Sequence, residues 1–189
     1  LRISDPPYYT ACPNPWMRDL VESWEKLKCS PGVDGSGYFR EPFVADVSEG
    51  KNDPIYMAHA YHTKVPYKAV MRYILHYTEP GDIVYDGFCG SGMTGVAAHM
   101  CGDRDAVASL GYRIDSDGIV LRSVTGDGEV KWIPFSRMGV RRAVLNDLSP
   151  AATFIAHGTN TPCTQSRFEH DALHVLDQVE AECGEYYLT

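Results

Sequence analysis

The stretch from Pro80 to Ala98 constrains this chain most, because it reads as a turn, a short strand, a glycine-rich loop and a helix start in that order. Glu79-Pro80-Gly81-Asp82 places Pro and Gly where a type II turn wants them. Ile83, Val84 and Tyr85 form an apolar run too short for a helix and bounded by turn residues, which is the pattern of a buried parallel strand. Gly90, Gly92 and Gly95 then let the backbone approach a ligand closely before a helix begins near Met93. Together these features predict a site for a nucleoside cofactor.

Gly90-Ser91-Gly92-Met93-Thr94-Gly95 fits the GxGxxG pattern of dinucleotide sites. Two acids argue against a nicotinamide cofactor. Asp86 stands at the strand end, where it would repel a pyrophosphate. The ribose-binding acid of a nicotinamide site lies roughly 20 residues on, whereas the next strand-end acid here is Asp147. An acid at the first strand end suits a cofactor with an ammonium group, and S-adenosylmethionine has one, with a sulfonium and no phosphate. Asp147 would then bind ribose hydroxyls.

The remaining chain predicts an α/β fold with a parallel sheet. Its 189 residues, 44% apolar and 22% charged, suit one globular domain. No apolar run reaches membrane-spanning length and no leader is visible, so a cytoplasmic protein with no membrane partner is expected. Six cysteines without a CxxC pair read as free thiols of a reducing compartment. The net charge of −8 argues against this piece alone gripping a nucleic-acid backbone. Leu1 opens the chain in what reads as a strand, so a fragment of a longer protein is expected.

Asp5-Pro6-Pro7-Tyr8 must be rigid and extended. Asn14 and Pro15 then offer a cap and first turn for a helix to about Lys28 carrying Trp16, Leu20, Trp24 and Leu27. Residues 29–57 read as a long loop. A helix capped by Thr63, with Pro66 in its first turn, stacks Val70 on Ile74 and Tyr73 on Tyr77. Residues 103–138 read as an insertion of two small hairpins around Ser116-Asp117-Gly118 and Gly126-Asp127-Gly128. Arg142 to Leu148 is a second core strand, Ser149 and Pro150 start a short helix ending at Gly158, and Ser166 with Glu169 is a capping box for a helix bearing Phe168, Ala172, Leu176, Val179 and Cys183.

Asp86-Gly87-Phe88-Cys89-Gly90-Ser91-Gly92 resembles the DxFxGxG loop of the amino-group DNA methyltransferases, which modify adenine N6 or cytosine N4. Asp5-Pro6-Pro7-Tyr8 resembles their catalytic DPPY motif. Tyr61-His62-Thr63-Lys64-Val65-Pro66 is similar to the segment that precedes the glycine loop in many members, and Arg142 to Ala152 to the strand whose acid binds the cofactor. The resemblance implies a partial Rossmann-like, S-adenosylmethionine-dependent fold with the hairpins inserted. It implies Asp5, Pro6, Pro7 and Tyr8 as catalytic residues, and Lys64, Asp86, Phe88, Gly90, Ser91, Gly92, Thr94 and Asp147 as cofactor-binding ones. DNA is the implied partner, contacted partly by segments outside this chain, and adenine N6 the implied target.

The chemistry suits these residue types. An exocyclic base nitrogen is a poor nucleophile because its lone pair is delocalised. The Asp5 carboxylate and Pro6 carbonyl would accept its two N–H bonds and favour an attacking geometry, with the prolines preorganising that carbonyl. Tyr8 would stack on a flipped base. The family also has members with the catalytic motif after the cofactor loop, an order that would make the Asp5 motif a binding loop. The alternative function is a non-catalytic module of a larger DNA-binding or restriction-modification complex. His59 and His62 bring no further ligands for a metal. Cys89 reads as a small buried residue, Trp16 and Trp24 as core, and Arg137, Arg141 and Arg142 as a solvated basic face.

Overall fold

The computed structural model describes residues 17–27, 38–126 and 128–187. In chain order the elements are α1 (Met17–Leu27), α2 (Pro54–Met57), α3 (Tyr67–Tyr77), β1 (Ile83–Asp86), α4 (Met93–Met100), α5 (Arg104–Ser109), β2 (Arg113–Ile114), β3 (Ile119–Gly126), β4 (Glu129–Arg137), β5 (Arg142–Leu145), α6 (Pro150–Asn160) and α7 (Gln165–Cys183). The fold is mixed α/β. β1 and β5 pair in parallel, Ile83 opposite Arg142 through Asp86 opposite Leu145, so the second core strand lies where the sequence places it. The other three strands form a separate antiparallel sheet in the order β2-β3-β4.

Pro66 fixes the start of α3, since it has no amide to continue a helix backwards. It holds the cap position itself with no side-chain cap bond, so Thr63 does not cap this helix. α3 buries Tyr67, Ala69, Met71, Ile74 and Leu75. Against it lies α4, which carries no acid or lysine and buries Met93, Gly95, Val96, Ala97 and Ala98. Val107, Leu110 and Val120 complete this core, and each large side chain there contributes roughly 1.5–3 kcal/mol by leaving water.

The tyrosine row on α3 has a second task. Over its described part, the long 29–57 connection is a strap lying along that row. Tyr38 donates its phenol proton to the Tyr77 carbonyl at 2.7 Å, and the Tyr77 phenol accepts the Phe43 amide at 2.9 Å. Tyr73 donates to the Ala45 carbonyl at 3.1 Å. Arg72 pairs with Glu49, and Lys68 with Asp53 at 3.1 Å, before α2 begins.

Several expectations are corrected. The two hairpins share one strand, because Ile119–Gly126 runs unbroken through both and makes a three-stranded meander. α5 precedes it, capped by Asp103, whose carboxylate accepts the Ala106 amide at 2.7 Å. Six residues of mixed polarity leave no periodic signal to announce that helix. Arg141 is not part of a solvated basic face: it is only 2% exposed. Ser149 does cap α6, but that helix runs two residues past Gly158. α7 takes Thr164 as its cap residue without a side-chain bond, and Glu169 accepts from Gln165 at 2.7 Å instead of closing a capping box with Ser166. None of its side chains is buried, so Phe168 and Leu176 stand in solvent among the described residues.

Candidate active site

The carboxyl ends of β1 and β5 are sewn together beyond the last paired residues. The Asn146 amide donates to the Asp86 carbonyl at 2.8 Å, and the Cys89 amide to the Asn146 carbonyl at 2.9 Å. This brings one half-buried carboxylate from each strand to the same loop. Asp86 accepts the Phe88 amide on one oxygen at 3.0 Å and the Thr94 hydroxyl on the other at 2.5 Å. Asp147 accepts the Gly90 amide at 2.9 Å and the Ser149 amide at 2.9 Å. Asp86 with Thr94, and Gly90 with Asp147, are therefore hydrogen-bonded pairs on one loop, with Asp147 reaching it from the far strand.

The glycines divide into two kinds. Gly92, at φ +82°, and Gly95 face α6: a Cβ on the first would sit 2.9 Å from that of Ala156, and one on the second would strike the Asn160 amide and approach Leu145 at 2.9 Å. Asn160 locks the same approach by donating to the Gly92 carbonyl at 3.0 Å. These two glycines let helices come close to each other. Gly90 instead faces the Tyr61 ring, 3.0 Å from where a Cβ would be.

Phe88 is 81% exposed beside this unit, whereas Ser91 is 2% exposed. The Ser91 hydroxyl is the one buried side-chain polar atom among the described residues with no hydrogen-bond partner. Lys64 stands further back. Its ammonium donates to the Tyr56 and His59 carbonyls and lies 4.2 Å from the Tyr56 ring centroid, fixing the turn that carries Tyr61. Burial pushes the Cys89 thiol up to about 11, and the nearby Asp147 and Asp86 charges add to this, so it is no nucleophile near neutrality. Among the described residues no cluster of His, Cys, Asp and Glu could hold a metal ion. Asp5, Pro6, Pro7 and Tyr8 lie outside the described residues.

Sequence reasoning named neither Tyr61 nor Asn160 as part of the site. Tyr61 leads the segment before α3 and could have been included. Asn160 carries no sequence signal, since its role depends on how α6 crosses α4.

A family model described as DNA methylase, of the N6/N4 type, matches residues 7–119, more than half of the chain. The chain belongs to this family. It is a DNA amino-group methyltransferase by that membership, with DNA as its substrate. The matched range takes in Pro7, Tyr8, Lys64 and the whole glycine loop, and ends before Asp147. No curated protein and no solved structure matches the chain. No helix among the described residues is long and apolar enough to cross a membrane.

Proposed function

We propose that this methyltransferase takes its methyl group from S-adenosylmethionine and delivers it to the N6 amino group of adenine in DNA. The observation that carries the reading is the meeting of Asp86 and Asp147, from the ends of adjacent parallel strands, at the Gly90 loop. Ligands of open α/β sheets bind beyond the carboxyl ends of the strands. In this reading residues 1–189 are one Rossmann-like domain, β1, α4 and β5 are its cofactor-binding part, and the segment 103–138 is inserted between them.

The residues fit that cofactor. Two carboxylates face the loop, a buried hydroxyl on Ser91 lacks a partner among the described residues, and the Phe88 ring is free to stack. Bound there, S-adenosylmethionine supplies a methyl group activated by a sulfonium. Asp86, held by Thr94, attracts the ammonium end, and Asp147 holds ribose hydroxyls while fixing the Gly90 amide. Phe88 would lie against the adenine ring, Ser91 and Gly92 would shape the floor, and Lys64 holds Tyr61 in place over Gly90. As the resemblance implies, Asp5 and the Pro6 carbonyl would accept the N–H bonds of the target amino group, Pro7 would limit the freedom of that carbonyl, and Tyr8 would stack on the extruded base.

Calorimetric titration with S-adenosylmethionine tests the cofactor, and nucleoside mass spectrometry of treated DNA tests the base. Saturable binding, weakened at least tenfold by Asp86→Ala, is the expected result. Absence of binding, or N4-methylcytosine as the product, would overturn the cofactor or the target base respectively.

A further inference from the structure

The helix α7 carries an apolar stripe and buries no residue. Phe168, Ala172, Val175 and Val179 follow one another at spacings of four, three and four, which stacks them on one face like the a and d positions of a heptad seam. Leu176 lies beside them on the same face. The four large side chains of this face stand in solvent among the described residues: Phe168 is 64% exposed, Val175 55%, Leu176 62% and Val179 48%. A single exposed apolar residue is ordinary, whereas a contiguous row of them marks an interaction site.

Charge narrows the kind of partner. α7 holds one arginine against five acids, a net −4 out of the whole chain's −8. The helical period sets Glu169 and Glu180 along one border of the stripe and Asp171 and Glu182 along the other, while Arg167 lies towards the back. Arg167 does reach Asp171, at 3.7 Å, but both side chains are mostly in solvent, so the pair does little to cancel the border. Glu169, Glu180 and Glu182 enter no ion pair among the described residues. Both borders of the apolar stripe are therefore acidic.

We infer that this face of α7 docks into another protein, one that offers an apolar groove rimmed by lysine and arginine. A groove takes an amphipathic helix by its anchors at i, i+4 and i+7, which are Phe168, Ala172 and Val175 in α7. Cations on the rims would face the two acidic borders, steering the encounter and fixing its register. The same charges disfavour other occupants. Duplex DNA and anionic lipid repel an acidic helix, and helices that lie on membranes carry lysine and arginine on their polar face. A second copy would set one helix of net −4 against another, acid-bordered on both sides.

Fluorescence anisotropy on the full chain tests this with two labelled helical peptides as probes. Both carry leucine at the a and d positions of a heptad repeat; one has lysine at e and g, the other glutamate. The lysine peptide should bind saturably and lose affinity as salt rises, and the glutamate peptide should bind at least tenfold more weakly. Val175→Gln with Leu176→Gln, at exposed positions where folding is not at issue, should weaken the lysine peptide at least tenfold. Glu180→Lys with Glu182→Lys should reverse the preference between the peptides. Phe154→Gln, an equally exposed apolar site on α6, is the control and should change nothing. Equal binding of the two peptides, binding of neither, an unchanged affinity in the α7 variants, or dimerisation of the unaltered chain abolished by the same α7 variants in sedimentation velocity would each overturn the inference. None of these readouts uses S-adenosylmethionine, so failure of the docking face is read separately from failure of the cofactor site.

Discussion

At Gly95 a methyl group has nowhere to go. A Cβ there meets the Asn160 side chain of α6 on one side and Leu145 of β5 at 2.9 Å on the other. Gly95→Ala is therefore an overpacking change, expected to cost about 1–3 kcal/mol in urea unfolding. Gly92→Ala adds a left-handed backbone, at φ +82°, to a similar collision and should cost about 1–2 kcal/mol more. Removing the obstacle, as Gly95→Ala with Asn160→Gly, should recover part of the loss in a double-mutant cycle. Additive losses would show that Asn160 is not what the glycine accommodates. Thiol reactivity gives a second test at this scale. Cys89 is pushed up to about 11 and Cys101 to about 12, in both chiefly by burial, while Cys163 is exposed. Peptide mass spectrometry after brief iodoacetamide treatment at pH 8 should find Cys163 alkylated and Cys89 and Cys101 intact. Rapid alkylation of Cys89 in the native protein would contradict a packing role.

The strap shows at the scale of elements what a sequence can and cannot disclose. β1, α4, β5 and the start of α6 were legible because turn residues, an apolar run, glycines and a Ser-Pro cap each act locally. The strap was not, since its order comes from partners far along the chain: Tyr73, Tyr77 and Arg72 on α3. In the candidate site, Asp86 and Asp147 could be named from their strand ends, but their common attachment to one loop depends on strand pairing. α7 misled in the opposite direction, its regular apolar stripe having no buried residue behind it. The anchor joining α2 to α3 is open to a pH test. Although burial raises the Asp53 carboxyl, hydrogen bonds from Lys68, the Ile55 amide and Tyr67 outweigh it and leave the group below its ordinary 3.8. That contribution to stability is present above 3.8 and is lost as pH falls through the lower folded value. Burial and the Asp53 bond raise Tyr67 from 10.0 to about 12, so its contribution is full below 10 and fades between there and 12. Thermal unfolding across pH should show Asp53→Asn flattening the acid limb and Tyr67→Phe flattening the alkaline one. Unaltered limbs would mean that this anchor does not hold the strap.

Across the whole molecule, the meander and the parallel sheet meet at one buried cation. The chain leaves β4 at Arg137 and enters β5 at Arg142, and Arg141 between them turns inward. Its guanidinium donates to the Thr78 hydroxyl at 3.0 Å and carbonyl at 2.8 Å, to the Arg137 carbonyl at 3.0 Å and to the Gly139 carbonyl at 2.6 Å. Burial pulls its pKa down, while Cys101, Glu79 and Asp82 oppose that shift. A planar fork reaches acceptors on three sides at once, which the single ammonium of lysine does not. Arg141→Lys should therefore leave at least two buried acceptors unpaired, at roughly 1–3 kcal/mol each, lowering the urea midpoint at constant slope. The functional consequence follows from what the seam joins. On one side lies the parallel sheet that carries the loop proposed for the methyl donor, on the other the meander. At temperatures where the variant stays folded, S-adenosylmethionine affinity should match the unaltered chain, because the Gly90 loop is not touched. An unchanged urea midpoint would show that these hydrogen bonds do not hold the seam, and a weakened S-adenosylmethionine affinity in the folded variant would show that the seam also shapes the Gly90 loop.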